Sequence, residues 1–295
     1  MFKQFFKSPT GAEVALGINE RNLCYVYARN DKKAFPLADD KIICKEALEE
    51  AGIACAKTYG IIERIGDIPE VWASLQQYER LAIKPAKGSG GGGIMILKKD
   101  AESRWCQSGR PISDEYIFAS LAQLLMGMYS FGTSDRVLVE QCIIPHSFFH
   151  EIYPAGVPDF RVILLDQAPV MGMLRLPTAR SNGKANLHQG GLGIGIDMEK
   201  GTLEYAYDGY NYHEVHPDSQ QTIRGKKIPH WEELLQLSIQ TAEAFPELGY
   251  LGVDIVLDQE LGPLIMEINV RPGLGIQLAN RASLKQPLKT ILSNC

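Results

Sequence analysis

The stretch "YLGVDIVLDQELGPLIMEINVRPG", residues 250–273, most constrains what this chain can fold into. Two apolar runs alternate with the two-residue period of a β-strand, and a polar turn signal, DQELG, separates them. The pair reads as an antiparallel hairpin with residues 259–262 as its loop. Leu264, Met266, Ile268 and Val270 share one wholly apolar face, which is expected in the core. Pro263, Ile265, Glu267 and Asn269 share the other. In the expected register Asp258 faces Pro263, and Asp254 faces Glu267 on the same side as Asn269. Carboxylates placed opposite each other across strands repel unless a cation sits between them. Three hard oxygen donors on a rigid sheet suit Mg²⁺. A solvated polar sheet edge is the alternative reading of the same residues.

A second stretch, "AIKPAKGSGGGGIMIL", places five glycines within six positions between two strand-like runs. Glycine amides approach phosphate oxygens closely, and so many glycines raise the entropy cost of ordering a plain turn. The loop lacks the Lys-Ser/Thr pair of a P-loop and does not open a helix, so both common nucleotide fingerprints lack their context. It reads as a phosphate flap with Gly88, Gly90 and Gly91 at its tip and Lys84 and Lys87 supplying charge; a floppy hairpin turn is the alternative. Lys41, after two aspartates, stands at an expected helix start, where anions are favoured. It also reads as an ordinary surface lysine.

Composition narrows the class. The 295 residues are 45% hydrophobic and 22% charged, as in globular proteins with a sizeable core. A net charge of −5 argues against nucleic-acid or anionic-membrane binding. Six scattered cysteines without a C-x-x-C signal neither a zinc site nor a disulfide framework, which points to the reducing cytoplasm. "MFKQFFKS" is not read as a secretory signal, and no apolar run is long enough for a membrane span.

Along the chain, residues 1–38 read as a short leader: a helical turn, then "LCYVYARN" as a strand. Helices are expected in "ADDKIICKEALEEAG", with Asp39 or Asp40 as cap and Gly52 as stop, and in "IPEVWASLQQY", "SDEYIFASLAQLLMGMY" and "HWEELLQLSIQTAEAF". The Met and Leu stripe of 121–128 reads as core. "RVLVEQCII" reads as a buried strand, and "DFRVILLDQAPVMGMLRLPT" as a hairpin turning at residues 166–168. Frequent hairpins favour an α+β fold with antiparallel sheets over a doubly wound parallel one. Glu140 ends an apolar strand, where a lone carboxylate is costly unless paired.

In this order, Lys41, Lys84 before the glycine flap, "VLVEQCI", "DFRV", "NLHQGG" and Asp254 with "MEINVRPG" resemble the ATP-grasp superfamily. "VPDFRVILL", "MLRLPT" and "GKANLHQGGLGIGID" resemble its RimK-type group, related to alpha-L-glutamate ligases. The resemblance covers about residue 35 to the C-terminus. It implies an ATP-grasp fold: a short leader at 1–38, a small lobe with the flap at 39–140 and a large lobe with the metal site at 141–295, clamping ATP. Lys41 and Lys84 would touch the triphosphate. Glu140 would accept from the adenine amino group, with the backbone of Gln141, Cys142 and Ile143 along the ring edge. Asp254, Glu267 and Asn269 would hold Mg²⁺, with Mn²⁺ as the alternative ion. Arg161 would meet the γ-phosphate or the activated acyl group. Arg175, Asn186 and His188, read as active-site strand residues, would lie near phosphate and acceptor, and Arg271, on the Asn269 face, would bind a substrate carboxylate. Surface ion pairs for the arginines and a core position for His188 are the competing readings.

The implied activity is ATP-dependent joining of glutamate or another amino acid to a peptide or amine. A small-molecule kinase on the same fold and a non-catalytic nucleotide-binding regulator are the rivals. The truncated N-terminal region implies that another copy of the chain or a partner protein completes the acceptor pocket.

Overall fold

The computed structural model describes residues 15–88 and 90–293. Its contacts divide the chain into a small unit, residues 39–46 and 55–143, and a large unit made of residues up to 38, 47–54 and from 144 onward.

The small unit is built on a six-stranded antiparallel sheet: β1 (Thr58–Ile62), β2 (Arg80–Pro85), β3 (Met95–Lys99), β4 (Trp105–Gln107), β5 (Arg110–Pro111) and β6 (Val137–Glu140), in the order β1-β6-β2-β3-β4-β5. Strand alternation decides its two faces. Ile62, Leu81, Ile83, Leu97, Val137 and Val139 pack with Trp72 and Leu75 of the helix Ile68–Leu75 and with Ile117, Leu121 and Leu124 of the helix Asp114–Leu125. Ser113 caps the latter by accepting from the Tyr116 N–H at 3.3 Å. Leu138, with Ala86, instead packs against Ile42 of the helix Lys41–Glu50. The side chains that alternate with the core residues, Lys84 on β2 and Glu140 on β6, lie on this second face. The expected core stripe at 121–128 is cut short: the helix ends at Leu125, and Met126 and Met128 are exposed. Gly127 forces the break, at φ +80° and with no room for a Cβ beside the Thr133 carbonyl.

The large unit carries a seven-stranded antiparallel sheet: β7 (Asp159–Leu165), β8 (Ala168–Leu176), β9 (Leu192–Asp197), β10 (Thr202–Tyr207), β11 (Tyr212–His213), β12 (Tyr250–Asp258) and β13 (Gly262–Asn269), in the order β11-β10-β9-β8-β7-β12-β13. The helix Trp231–Ala244 packs on β7, β8, β12 and β13 with Trp231, Leu234 and Leu237 buried. The β7–β8 hairpin turns at Asp166 and Gln167, both at positive φ, as a two-residue turn between right-twisted strands requires.

The β12–β13 hairpin departs from the expected register at its turn. Leu257, not Asp258, stands opposite Pro263, and Asp258 pairs with Gly262. Asp258 shapes the turn, accepting from the Glu260 and Leu261 N–H groups at 3.0 and 3.1 Å. A bulge between Asp254 and Ile255 then absorbs the offset, so that Asp254 does face Glu267. The extra residue is Met266. It is half-buried, not a core residue like its expected face-mates Leu264, Ile268 and Val270.

"LCYVYARN" is helical, not a strand: a π-type turn over Asn22–Val26 continues into Tyr27–Arg29. Burial explains the difference. Arg21, Tyr25 and Val26 are buried and Leu23 is exposed, a helical spacing that overrides the β-propensity of these residues. Tyr25 lies 5.7 Å from the Tyr250 ring on β12, and Asn30 exchanges hydrogen bonds with the Tyr250 backbone. The first 14 residues of the expected leader lie outside the described residues. Among the described residues no helix is long and apolar enough to cross a membrane.

Candidate functional site

In the small unit two phosphate-type elements meet, the start of the Lys41 helix and the glycine loop. Asp40 Oδ1 accepts from the Ile42 and Ile43 N–H groups and so caps the helix that begins at Lys41. The Lys41 ammonium donates to the carbonyl of Gly88 in the glycine loop. Gly90, Gly91 and Gly93 all take positive φ, a backbone that L side chains rarely adopt. Lys87 keeps its side chain exposed while its N–H donates to Asp135.

Lys84 and Glu140 form a buried ion pair, and a residue absent from the sequence reading joins them. Lys45, one turn into the helix and on the Ile42 side, reaches the other Glu140 oxygen at 3.0 Å and also donates to the Ala56 carbonyl. Burial acts to raise the Glu140 pKa, but Lys84 and Lys45 outweigh it and hold the carboxyl below its usual range. Both oxygens of the proposed adenine acceptor are therefore engaged by lysines in this structure. The Gln141 N–H is likewise engaged, by the Lys57 carbonyl at 2.8 Å. Cys142 and Ile143 follow it, both half-buried.

In the large unit Arg161, Arg175, Asp254, Glu267 and Asn269 share one face of four adjacent strands. Arg161 stands opposite Asp254 on β7 and β12, Asp254 opposite Glu267 on β13, and Arg175 on β8 opposite Asp159 on β7. Asp254 is fully buried and is the hub. It takes Arg161 Nε at 2.7 Å and Nη2 at 2.5 Å, a bidentate clamp. It also takes Arg175 Nη2 at 2.7 Å and Asn269 Nδ2 at 3.2 Å. Arg175 Nε donates to Asp159 at 2.5 Å. Burial pushes against the charge of Asp254, yet Arg161 and then Arg175 hold it well below the carboxylate range. Asp159 goes the other way: burial, opposed by Arg175 and reinforced by Asp254, pushes it up to about 6. Burial also works against the Arg175 charge, and Asp159, Asp254 and Glu267 more than offset it.

The metal-type donors come together with a division of labour that the pattern did not show. Asp254 is the anchor of two arginines. Glu267 and Asn269 are half-exposed, and the Asn269 amide, by donating its nitrogen to Asp254, leaves its carbonyl oxygen to accept. Among the described residues no three His, Cys, Asp or Glu side chains gather at metal-binding spacing. By type the set is two carboxylates and an amide, oxygen donors that suit a hard divalent cation, and both Asp254 oxygens accept from arginines in this structure. Arg161 and Arg175 bind carboxylates of the sheet and are not surface ion pairs.

The remaining candidates lie elsewhere. β13 ends at Asn269, so strand alternation does not reach Arg271, whose guanidinium stacks over Phe35 at 4.7 Å. His188 sits on a 3₁₀ turn, Leu187–Gln189, and Asn186 is the cap just before it, rather than either on a strand, because Asn186 Oδ1 accepts from the His188 N–H at 3.1 Å and Gly190 closes the turn at φ +96°. His188 is exposed, which excludes the core reading; the buried histidine is His216, bound to the Pro177 carbonyl at 2.9 Å.

No curated protein matches the sequence. Solved structures share the fold at low identity. D-alanyl-alanine synthetase A of Vibrio cholerae O1 biovar eltor aligns with a TM-score of 0.52 at 14% identity, over 90% of this chain and 68% of its own. The VanG D-Ala:D-Ser ligase of Enterococcus faecalis gives 0.50 at 14%, over 90% and 63%. A biotin carboxylase–β,γ-ATP complex from Campylobacter jejuni gives 0.56 at 13%, over 93% and 51%. The chain thus spans between about half and about two thirds of these proteins. A family model described as sugar-transfer associated ATP-grasp matches residues 20–293, and the chain belongs to that family.

Proposed function

We propose that the chain is an ATP- and Mg²⁺-dependent, ADP-forming carboxylate–amine ligase. The observation that carries the reading is the single sheet face on which Asp254, Glu267 and Asn269 stand with Arg161. The fold that the chain shares with two amino-acid ligases supports it. In this reading a substrate carboxylate attacks the γ-phosphorus of ATP, the bond to ADP breaks, and an acyl phosphate forms. An amine then attacks the acyl carbon, loses its proton and expels inorganic phosphate. Negative charge builds in both steps. Lys41, the loop amides and Lys84 bind and orient the triphosphate, and Arg161 steadies Asp254 in its ionised form. Glu267 and Asn269, with Asp254, would hold the divalent ion, which when bound neutralises phosphate charge.

The RimK-like motifs support glutamate or another amino acid as the acid, joined to a peptide or amine acceptor. The family's tie to sugar transfer favours one second reading, phosphoryl transfer to a sugar or polyol hydroxyl. One assay separates them. The protein is incubated with ATP, Mg²⁺ and pooled amino acids, amines and sugars, with hydroxylamine present or absent. ADP, free phosphate, a condensed product and a hydroxamate support ligation. ADP with a phosphorylated sugar and no hydroxamate supports the kinase and sinks the ligase.

A further inference from the structure

Two consecutive residues at the entry to β6, Asp135 and Arg136, play no part in the chemistry above, yet they tie together both phosphate-type elements of the small unit. Asp135 is only 4% exposed. Its carboxylate accepts from the Lys87 N–H at 3.1 and 3.2 Å, at the point where the chain enters the glycine loop. It also accepts from the Ser130 hydroxyl and from the Arg136 N–H at 2.8 Å. Arg136 points the other way. Its Nη2 donates to Asp40 Oδ2 at 3.0 Å, and the second oxygen of Asp40 caps the Lys41 helix. Backbone bonds close the ring: the Ala86 N–H donates to the Arg136 carbonyl and the Lys41 N–H to the Ala86 carbonyl, each at 2.9 Å.

A buried carboxylate is costly unless several donors hold it, and a plain turn needs none. Here the donors are the loop entry, a serine and its own neighbour. Arg136, half-buried, spends its guanidinium on the one carboxylate that also sets the start of the Lys41 helix. Tyr129, a few residues upstream, packs where a Cβ on Gly93 would collide with its ring, so the same segment also supports the far end of the loop.

We propose that Asp135 and Arg136 are positioning residues that fix the glycine loop and the N-terminus of the Lys41 helix in one arrangement for a triphosphate. The inference rests on the ATP-binding reading above. The test is calorimetric titration of the full chain with MgATP and with AMP, which requires no knowledge of the acceptor. Asp135→Asn and Arg136→Met are expected to weaken MgATP binding about tenfold, the order expected for a lost charge-assisted hydrogen bond, and to leave AMP binding near wild type. Arg136→Lys is expected to recover part of the loss. Asp40→Asn combined with Arg136→Met is expected to lose no more than the worse single variant. A purely structural role would lower the melting temperature without changing the ratio of MgATP to AMP affinity. Folded Arg136→Met and Arg136→Lys proteins with a wild-type ratio would overturn the proposal while wild-type MgATP binding stood. A wild-type chain that binds no MgATP would overturn the ATP reading, and this inference with it.

Discussion

Asp254 and Glu267 face each other across β12 and β13 because Met266 bulges out of the ladder between them and the turn. Were Met266 held in the ladder and not bulged, the register set at Asp258 and Gly262 would place Met266 opposite Asp254 and turn Glu267 to the other face. The carboxylate pair is therefore a product of the bulge as well as of the strand pattern.

Glu267→Gln removes one charge from a half-exposed position and leaves the buried hub of Asp254 and the arginines in place. The expected outcome is a folded protein, with a melting temperature within a few degrees of wild type, whose ATP-dependent turnover falls by orders of magnitude. Turnover near the wild-type rate would remove Glu267 from the metal set.

Arg175→Met takes the ion-pair partner from buried Asp159 and one of the two arginines from Asp254, which Arg161 still clamps. Breaking a buried ion pair by deleting one partner costs about 3–5 kcal/mol. Urea unfolding should show a loss of that order. Asp159→Asn combined with Arg175→Met should recover part of it, because the double variant leaves fewer charges unpaired.

Glu140 makes stability depend on pH with a definite sign. Its folded pKa lies below the unfolded carboxylate value, so its contribution is present above about pH 4.3 and is lost as pH falls through the folded value. Glu140→Gln leaves Lys84 and Lys45 without their counterion and should be markedly less stable than wild type at pH 7. The gap between the two proteins should narrow as the pH falls from 6 towards 3. A constant gap in denaturant midpoint would show that Glu140 does not titrate in this way.

The glycines of the loop differ in what they tolerate. A Cβ on Gly91 meets nothing within 4 Å, so Gly91→Ala bears only the left-handed backbone penalty, about 1–2 kcal/mol. A Cβ on Gly93 would lie 2.8 Å from Leu124 Cδ2 and from the Tyr129 ring, so Gly93→Ala should be the more destabilising of the two. Removing residues 90–93 altogether should reduce ATP turnover more than thermal stability. Unchanged turnover in the shortened protein would rule out a phosphate role for the loop.

Local patterns carried the hairpins, the Asp40 and Ser113 caps and the face shared by Asp254, Glu267 and Asn269, because strand alternation and capping depend on neighbours in sequence. The partners of those residues were not legible. Lys45 meets Glu140 across 95 residues, and Arg161 meets Asp254 across 93, so no spacing rule links them. "LCYVYARN" misled because its aromatic and β-branched residues suit strands, while burial of Arg21, Tyr25 and Val26 selected a helix. Asn186 and His188 looked like strand residues until the capping bond of Asn186 curled them into a turn.

The adjacency of Asp135 and Arg136 bears on how the small unit can be exchanged between proteins. Their hydrogen bonds reach back to Asp40 and Lys87, so a chimera with its crossover between β5 and β6 would import the glycine loop and the Lys41 helix without the residues that brace them. Grafting the loop onto another scaffold therefore calls for transfer of the 130–136 segment as well.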